Sequence, residues 1–366
     1  MREGIAQRAF PAVSIAVTLC GKLIALKALG KFVYEEEPEA APLSADFARR
    51  GNYEPDPTTL FDIASLTKPV ATTTMAMLLY ERGLLELDAP IFGTIPEFLR
   101  DPDPRRREVT FRMLLAHSSG LPAYEKLFLK ARKREDLLHA AFTTPLASAP
   151  GTRAEYSDIG FIILGVALER IAQESLDVFC RREIFGPLAM THTTFNPPAD
   201  QRQQIPPTAD ERDLPAANAP RSLFRHRIIR GEVQDENASV IGGVAGHAGL
   251  FSTAEDLARF AHTLLQGGAP ILRAETVSLF TRRNSTPAET TRTLGWDTPS
   301  TPSQSGKYFG PRSFGHLGYT GTSLWIDPDR QLSITLLTNR TWPDCSNQSI
   351  KQVRPRFHDA VIEALA

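Results

Sequence analysis

Ser65-Leu66-Thr67-Lys68 opens onto PVATTTMAMLLY, a run from Pro69 to Tyr80 with no charged residue before Glu81, Arg82 and Gly83. A serine and a lysine three apart stand one above the other on a helix, which brings the lysine nitrogen within reach of the hydroxyl. A helix without charge on any face is buried on every face. Pro69 is tolerated in the first turn, where no N–H bond is missed, and Gly83 supplies a C-terminal stop. The stretch therefore reads as a helix through the core, with Ser65 and Lys68 at its N-terminus. Burial disfavours a charged lysine, so Lys68 is expected to have a lowered pKa and to serve as a base. The helix N-terminus favours negative charge developing near Ser65, and a serine becomes a nucleophile only beside a base. Taken alone, S-x-x-K is a weak signal, because many helices pair an N-cap serine with a solvated lysine.

Outward from this helix, β-prone runs lie at both ends of the chain. Val13–Leu19 and Lys22–Leu29, separated by Cys20-Gly21, read as a hairpin. Ser323–Ile326 and Gln331–Thr338 form a second pair, joined by the turn Asp327-Pro328-Asp329-Arg330. Helices fill the middle. Thr110 caps a short one through Ala116, charged Lys126–Asp136 reads as a surface helix, Asp158–Ala172 as an apolar one and Leu176–Phe185 as an amphipathic one. Ser252-Thr253-Ala254-Glu255 is a capping box opening a helix to Leu265, and Val353–Leu365 closes the chain as a helix. Glu35–Pro57, Pro197–Pro220 and Pro299–Lys307 read as loops. The expectation is an α+β fold: an antiparallel sheet built from N- and C-terminal strands, flanked by helices, with an inserted, mostly helical lobe. One domain over 5–366 is expected, with a sheet lobe at about 5–60 and 290–366 and a helical lobe at about 61–289.

Composition excludes some classes of function. Among 366 residues, 41 basic and 42 acidic side chains leave a net charge of −1, which gives no electrostatic case for nucleic acid or a membrane surface. The basic run Arg221–Arg227 is short and reads as a solvated loop. Cys20, Cys180 and Cys345 are scattered, odd in number and without metal-ligand spacing, which points to a reducing compartment. No apolar run is long enough to span a bilayer. The N-terminal MREGIAQRAFPAVSIAVTLCG lacks a clear small-x-small cleavage site, which favours the cytoplasm, with the periplasm open for a truncated N-terminus.

An acyl-transfer serine also needs a proton shuttle and an oxyanion hole. Tyr156-Ser157-Asp158 begins the second apolar helix, so Tyr156 can reach from a loop into a cleft. Gly315-His316-Leu317-Gly318-Tyr319-Thr320-Gly321-Thr322 precedes a strand, and its small residues let a substrate backbone approach a sheet edge. S-x-x-K, then Y-S-D, then H-L-G on a late strand resembles the serine β-lactamase and penicillin-binding protein superfamily. FDIASLTKPVATTTMAMLLYERGLLELDAP, LLAHSSGLP, YSDIGFIILG and AGLFSTAEDLARF look most like its class C β-lactamase-like branch, with D-alanyl-D-alanine carboxypeptidases and family VIII esterases.

The resemblance implies roles residue by residue. Ser65 looks like the acyl-forming nucleophile, Lys68 its base and Tyr156 the shuttle to the leaving group. The N–H groups of Ser65 and Tyr319 would form the oxyanion hole, beside Gly318. Asp158 stands where relatives often have asparagine, and is read either as a cleft residue or as a plain helix N-cap. His316 stands where many have lysine, or else is a satisfied strand histidine; Tyr319-Thr320-Gly321 is an alternative third motif. As an ordinary imidazole, His316 would attract a carboxylate weakly at about pH 7.5 and better near pH 6. Both departures weigh against β-lactam hydrolysis more than against acyl transfer. His117 reads as a dipole or packing partner at a helix end. Asp235, Glu236, Asn237 and His247 are spaced too loosely for a metal and read as a polar network under the cleft. No cofactor or metal is expected. The implied function is acyl-enzyme hydrolysis of an amide or ester: a D-Ala peptide or other peptidoglycan fragment, a β-lactam or a small ester. The alternatives are a family VIII type carboxylesterase and a non-catalytic sensor or scaffold. Natural substrate and oligomeric state stay open.

Overall fold

The computed structural model describes residues 1–34, 53–212, 224–284 and 286–365. The expected loop at Glu35–Pro57 falls outside these residues as far as 52, and so do the Pro197–Pro220 loop and the basic run between 213 and 223. The strands used here are β1 (Ala12–Leu19), β2 (Lys22–Gly30), β3 (Phe61–Asp62), β4 (Thr194–Phe195), β5 (Leu250–Ser252), β6 (Phe314–Leu317), β7 (Ser323–Asp327) and β8 (Leu332–Thr338). The helices are α1 (Thr74–Glu81), α2 (Asp158–Ala172), α3 (Glu236–Ile241), α4 (Ala254–Leu265) and α5 (Ile350–Leu365).

The main sheet has the order β2-β1-β8-β7-β6 and is antiparallel throughout. Both termini therefore build it, with the first hairpin paired to the last strand through Val13↔Thr338 to Leu19↔Leu332. Both faces of β1 are covered, which explains why its apolar run does not alternate with charge. Val13 and Val17, with Leu332, Ile334 and Leu336 of β8, pack toward Ile350, Val353 and Ile362 of α5. Ala12 and Ala16 face the main core with Ala258 and Ala261 of α4. Small side chains on that face let α4 lie close against the sheet.

A second sheet, β3-β5-β4, sits at the edge of the helical region and fixes the start of the Ser65 segment. Phe61 pairs with Ser252, and Ile63 N donates to Leu250 O at 3.0 Å. The chain then turns through a 3₁₀ segment at Ala64–Leu66, a π-helical segment at Lys68–Thr73 and α1. Every residue from Leu66 to Leu79 is buried, as a charge-free run requires, while Ser65 keeps partial exposure. Gly83 ends the helix with φ +68°.

Three local expectations move. Lys126–Asp136 is not one helix: a 3₁₀ turn at Leu127–Leu129 buries Leu127 and Phe128, and the helix proper is Arg134–Phe142, which buries Leu137, Ala141 and Phe142. The cap of α4 is Thr253, whose hydroxyl accepts from Asp256 N at 3.2 Å, one residue later than the Ser252–Glu255 pattern implied. Arg225, in the run read as solvated, is buried against Glu211 at 2.7 Å, because its guanidinium also satisfies the carbonyls of Val233 and Gln234.

Candidate active site

Ser65 lies where the β3 turn enters the buried helix. Its Oγ is 2.9 Å from Lys68 Nζ and accepts from Tyr156 OH at 2.7 Å. Tyr156 comes from the loop before α2, and its ring centroid stands 4.9 Å from Lys68 Nζ. The three residues named from S-x-x-K and Y-S-D thus converge from segments 91 positions apart.

Lys68 is fully buried and has two further acceptors, Asp158 Oδ1 at 2.6 Å and the His247 carbonyl at 3.0 Å. Burial acts most strongly to lower its pKa, but the charges and hydrogen bonds of Asp158 and Tyr156 together outweigh it, so the amine is held above its ordinary value. This corrects the expectation of a lowered lysine. It also decides between the two readings of Asp158. Ser157 is the N-cap of α2, its hydroxyl accepting from Gly160 N at 3.0 Å, which leaves Asp158 free to face the cleft. Burial, with Asp158 nearby, pushes Tyr156 up to about 12 against the pull of Lys68. Ser65 therefore rests between two proton donors.

His316 projects from the edge strand β6, its ring 6.1 Å from Tyr156. Its Nδ1 is 2.8 Å from Leu317 O, while Nε2 is buried without a partner among the described residues. An Nδ1–H donating to that carbonyl leaves Nε2 as an acceptor. Burial, then the charges of Lys68 and Arg292, lowers its pKa to about 3. His316 is neutral at pH 6 as well as at pH 7.5, so the expected gain in carboxylate attraction near pH 6 does not arise.

Gly318 and Tyr319 begin the loop after β6. Thr320 Oγ1 donates to Asp62 O at 2.7 Å and Thr322 Oγ1 to Ile63 O at 3.1 Å, which ties this loop to the turn that carries Ser65. A Cβ on Gly318 would stand 2.6 Å from Ile63 O, so only glycine fits there. Tyr319 is about half exposed, and Arg340 Nε donates to its carbonyl at 2.7 Å.

Some groups in the cleft carried no sequence signal for the contacts they make, and others stand where the sequence reading placed them. Thr320 and Thr322 are ordinary loop threonines until the fold sets them against β3. Arg292 lies 5.5 Å from the Tyr156 ring centroid and 3.4 Å from Asp297. His117 is the packing partner it was read as: its ring packs at a tilt 4.7 Å from Tyr156 and 4.9 Å from Phe161, and its Nδ1 accepts from Ser157 N at 3.0 Å. His247 and Asp235 pair with each other at 2.8 Å beneath Lys68.

The profile of the Beta-lactamase family matches residues 1–352. An Escherichia coli (strain K12) protein named "Putative D-alanyl-D-alanine carboxypeptidase" is 34% identical over 302 residues, 77% of this chain and 69% of that one. The N-acetylmuramyl-L-alanine amidase of Bacillus subtilis (strain 168) is 30% identical over 351 residues, 90% of this chain and 77% of that one. Among solved structures, EstCE1, a hydrolase with promiscuous acyltransferase activity, superposes with a TM-score of 0.71 at 21% identity, covering 92% of this chain and 91% of that one. With its sheet, its inserted helices and a match over nearly all its length, this chain belongs to the Beta-lactamase family.

Proposed function

We propose that the protein is a serine hydrolase that forms an acyl-enzyme on Ser65. The observation that carries this reading is the convergence on Ser65 Oγ of Lys68 Nζ at 2.9 Å and Tyr156 OH at 2.7 Å in a largely buried site. Lys68 in its neutral form takes the Ser65 proton as Oγ bonds to the acyl carbon. The N–H groups of Ser65 and Tyr319 receive the oxyanion. As the tetrahedral adduct collapses, Tyr156 passes a proton to the leaving nitrogen or oxygen and recovers one from Lys68. Water then adds to the ester and releases the acid, restoring Ser65. Because Asp158 holds Lys68 high, the neutral amine is a minority species at neutral pH, and acylation should rise with pH along an acidic limb set by this amine.

For the substrate, the names of the two relatives suggest an amide of the peptidoglycan type. A specific observation favours a second reading, an esterase: His316 is uncharged where a cation for a substrate carboxylate is frequent in relatives. We therefore favour neutral esters or amides over penicillins. Intact mass measurement after incubation with a fluorophosphonate and, separately, with a penicillin tests the proposal. Ser65 should carry the label, and an undiminished adduct in Ser65→Ala would remove it as nucleophile.

A further inference from the structure

The steps above make no use of a buried polar pair beneath the lysine. His247 is 1% exposed, its Nε2 is 2.8 Å from Asp235 Oδ1, and its Nδ1 has no hydrogen-bond partner among the described residues. The ring therefore donates its Nε2–H to the carboxylate. Asp235 also caps α3, accepting from Ala238 N at 2.7 Å. Burial would push its carboxyl up, but His247 and Ala238 N outweigh burial and hold it below its usual range. The main chain beside it is anchored in turn. Gln234 N donates to Asp62 Oδ2 at 2.7 Å, and Asp62 Oδ1 accepts from Ala64 N at 2.8 Å, one residue before Ser65. One polar chain thus runs from the peptide preceding Ser65 to the His247 ring, and the His247 carbonyl meets Lys68 Nζ at 3.0 Å.

The acceptor count around Nζ gives this chain a consequence. Ser65 Oγ, Asp158 Oδ1 and His247 O surround the nitrogen. An ammonium satisfies all three with its three N–H groups. A neutral amine has two N–H groups and one lone pair. If the N–H groups go to Asp158 and the His247 carbonyl, the lone pair faces Ser65 Oγ. Without that carbonyl the amine is free to turn an N–H toward Ser65 and its lone pair away.

We propose that the Asp235–His247 pair is a positioning device for Lys68: the clamped ring sets the orientation of the 247–248 peptide, whose carbonyl orders the amine so that its lone pair meets Ser65. The inference rests on the reading of Ser65 as nucleophile and Lys68 as base. Neither Asp235 nor His247 touches reacting atoms. The loop itself has other supports: Thr72 Oγ1 donates to Gly246 O at 2.7 Å, and a Cβ on Gly246 would stand 2.8 Å from Gly165 Cα, so the backbone there is already pressed against α2. Altering the ring therefore leaves the loop seated.

The test is the single-turnover acylation rate with p-nitrophenyl acetate, corrected for spontaneous hydrolysis, from about pH 7 to about pH 12, so that both the limb set by the raised Lys68 amine and the plateau above it are read. The titratable groups that act with Lys68 are Asp158, Tyr156, Asp235, His117 and His316, and the His247 variants leave all five in place. His247→Ala should lower the plateau by about tenfold to a hundredfold, the effect of a small misplacement. It should also move the acidic limb to lower pH, because the 247 carbonyl, no longer oriented by the ring, supports the ammonium less well. His247→Gln, whose amide N–H replaces the ring N–H, should restore both. Asp235→Ser keeps a capping hydroxyl but is too short for the ring, so it should behave like His247→Ala and carries the test if that variant does not fold. Wild-type plateau and limb in His247→Ala and Asp235→Ser would overturn the proposal. So would a lower plateau with an unmoved limb and no rescue by His247→Gln, the pattern of a purely structural role. Loss of the adduct in Ser65→Ala leaves the underlying reading standing whichever way these variants behave.

Discussion

Two buried cations on opposite sides of this molecule shift in opposite directions. Lys68, under the cleft, is fully buried and is held above its ordinary pKa. Arg354, on α5 behind the sheet, is 4% exposed and is lowered to about 9, by burial first and the charge of Arg340 second. The difference is the partner. Lys68 meets a carboxylate at 2.6 Å. Arg354 meets only Gln304 Oε1 at 3.0 Å and Thr322 O at 3.4 Å, and among the described residues no carboxylate pairs with it. Burial sets the cost of a charge, and the nearest counter-charge decides whether that cost is met.

The strongest way to break the comparison is to remove the amine. Lys68→Ala should slow acylation by at least about a hundredfold, the low end for a positioned base; near-normal rates in stopped flow would take Lys68 out of the chemistry. Tyr156→Phe removes only a hydroxyl, so the protein should keep its melting temperature and lose about tenfold or more in turnover, while wild-type turnover would place the shuttle elsewhere.

Asp158→Asn sharpens the comparison by making Lys68 resemble Arg354, buried with neutral acceptors. The sign follows from the pairing: a carboxylate that supports the ammonium opposes base function, so its loss should move the acidic limb of acylation down by about one pH unit or more. An unmoved limb would mean that the pair does not govern the base.

A smaller effect is expected at His316. Held at about 3, it stays neutral across the working range, so the ratio of penicillin to neutral-ester acylation constants should be flat between about pH 7.5 and about pH 6. His316→Lys should raise that ratio. A wild-type ratio that climbs on acidification would show a histidine that charges after all. The smallest effect belongs to the far side of the sheet. Arg354→Met, an apolar replacement of similar reach, should leave stability unchanged or raise it by about 1 kcal/mol in urea unfolding, and a clear loss would mean that the arginine is better compensated than its two neutral acceptors indicate.

Much of the fold was legible because its signals are local. Charge-free Pro69–Tyr80 could only be a buried helix, and Asp158–Ala172 matches α2 end to end. The terminal hairpins appear as β1–β2 and β7–β8. Ser65, Lys68 and Tyr156 were legible as a group through spacing and resemblance, and they meet. The threonine ties from Thr320 and Thr322 and the approach of Arg292 were not legible, and of the Asp235–His247 pair only its place in a polar network under the cleft was. Each depends on a neighbour that only the folded chain supplies. Lys126–Asp136 was misread for a related reason: its charges suggested a continuous solvated helix, while the burial of Leu127 and Phe128 imposed a turn.

The sequence by itself determined most of the helices and the paired terminal strands, that both termini share one sheet, and, with the resemblance, which serine, lysine and tyrosine stand together. The elements and the Ser65–Lys68 pair follow from periodicity, caps and short spacings, which act within a few residues, whereas Tyr156, 91 positions from Ser65, joins them through the resemblance. Only the tertiary structure decided the protonation of the site. Asp158 lies 90 positions from Lys68, and its side chain reached the amine because Ser157 took over the capping of α2. His316 lost its ordinary imidazole behaviour because the fold buried it near Lys68 and Arg292. Protonation depends on desolvation and on charges within a few ångströms, and distances of that kind across the chain are set by folding.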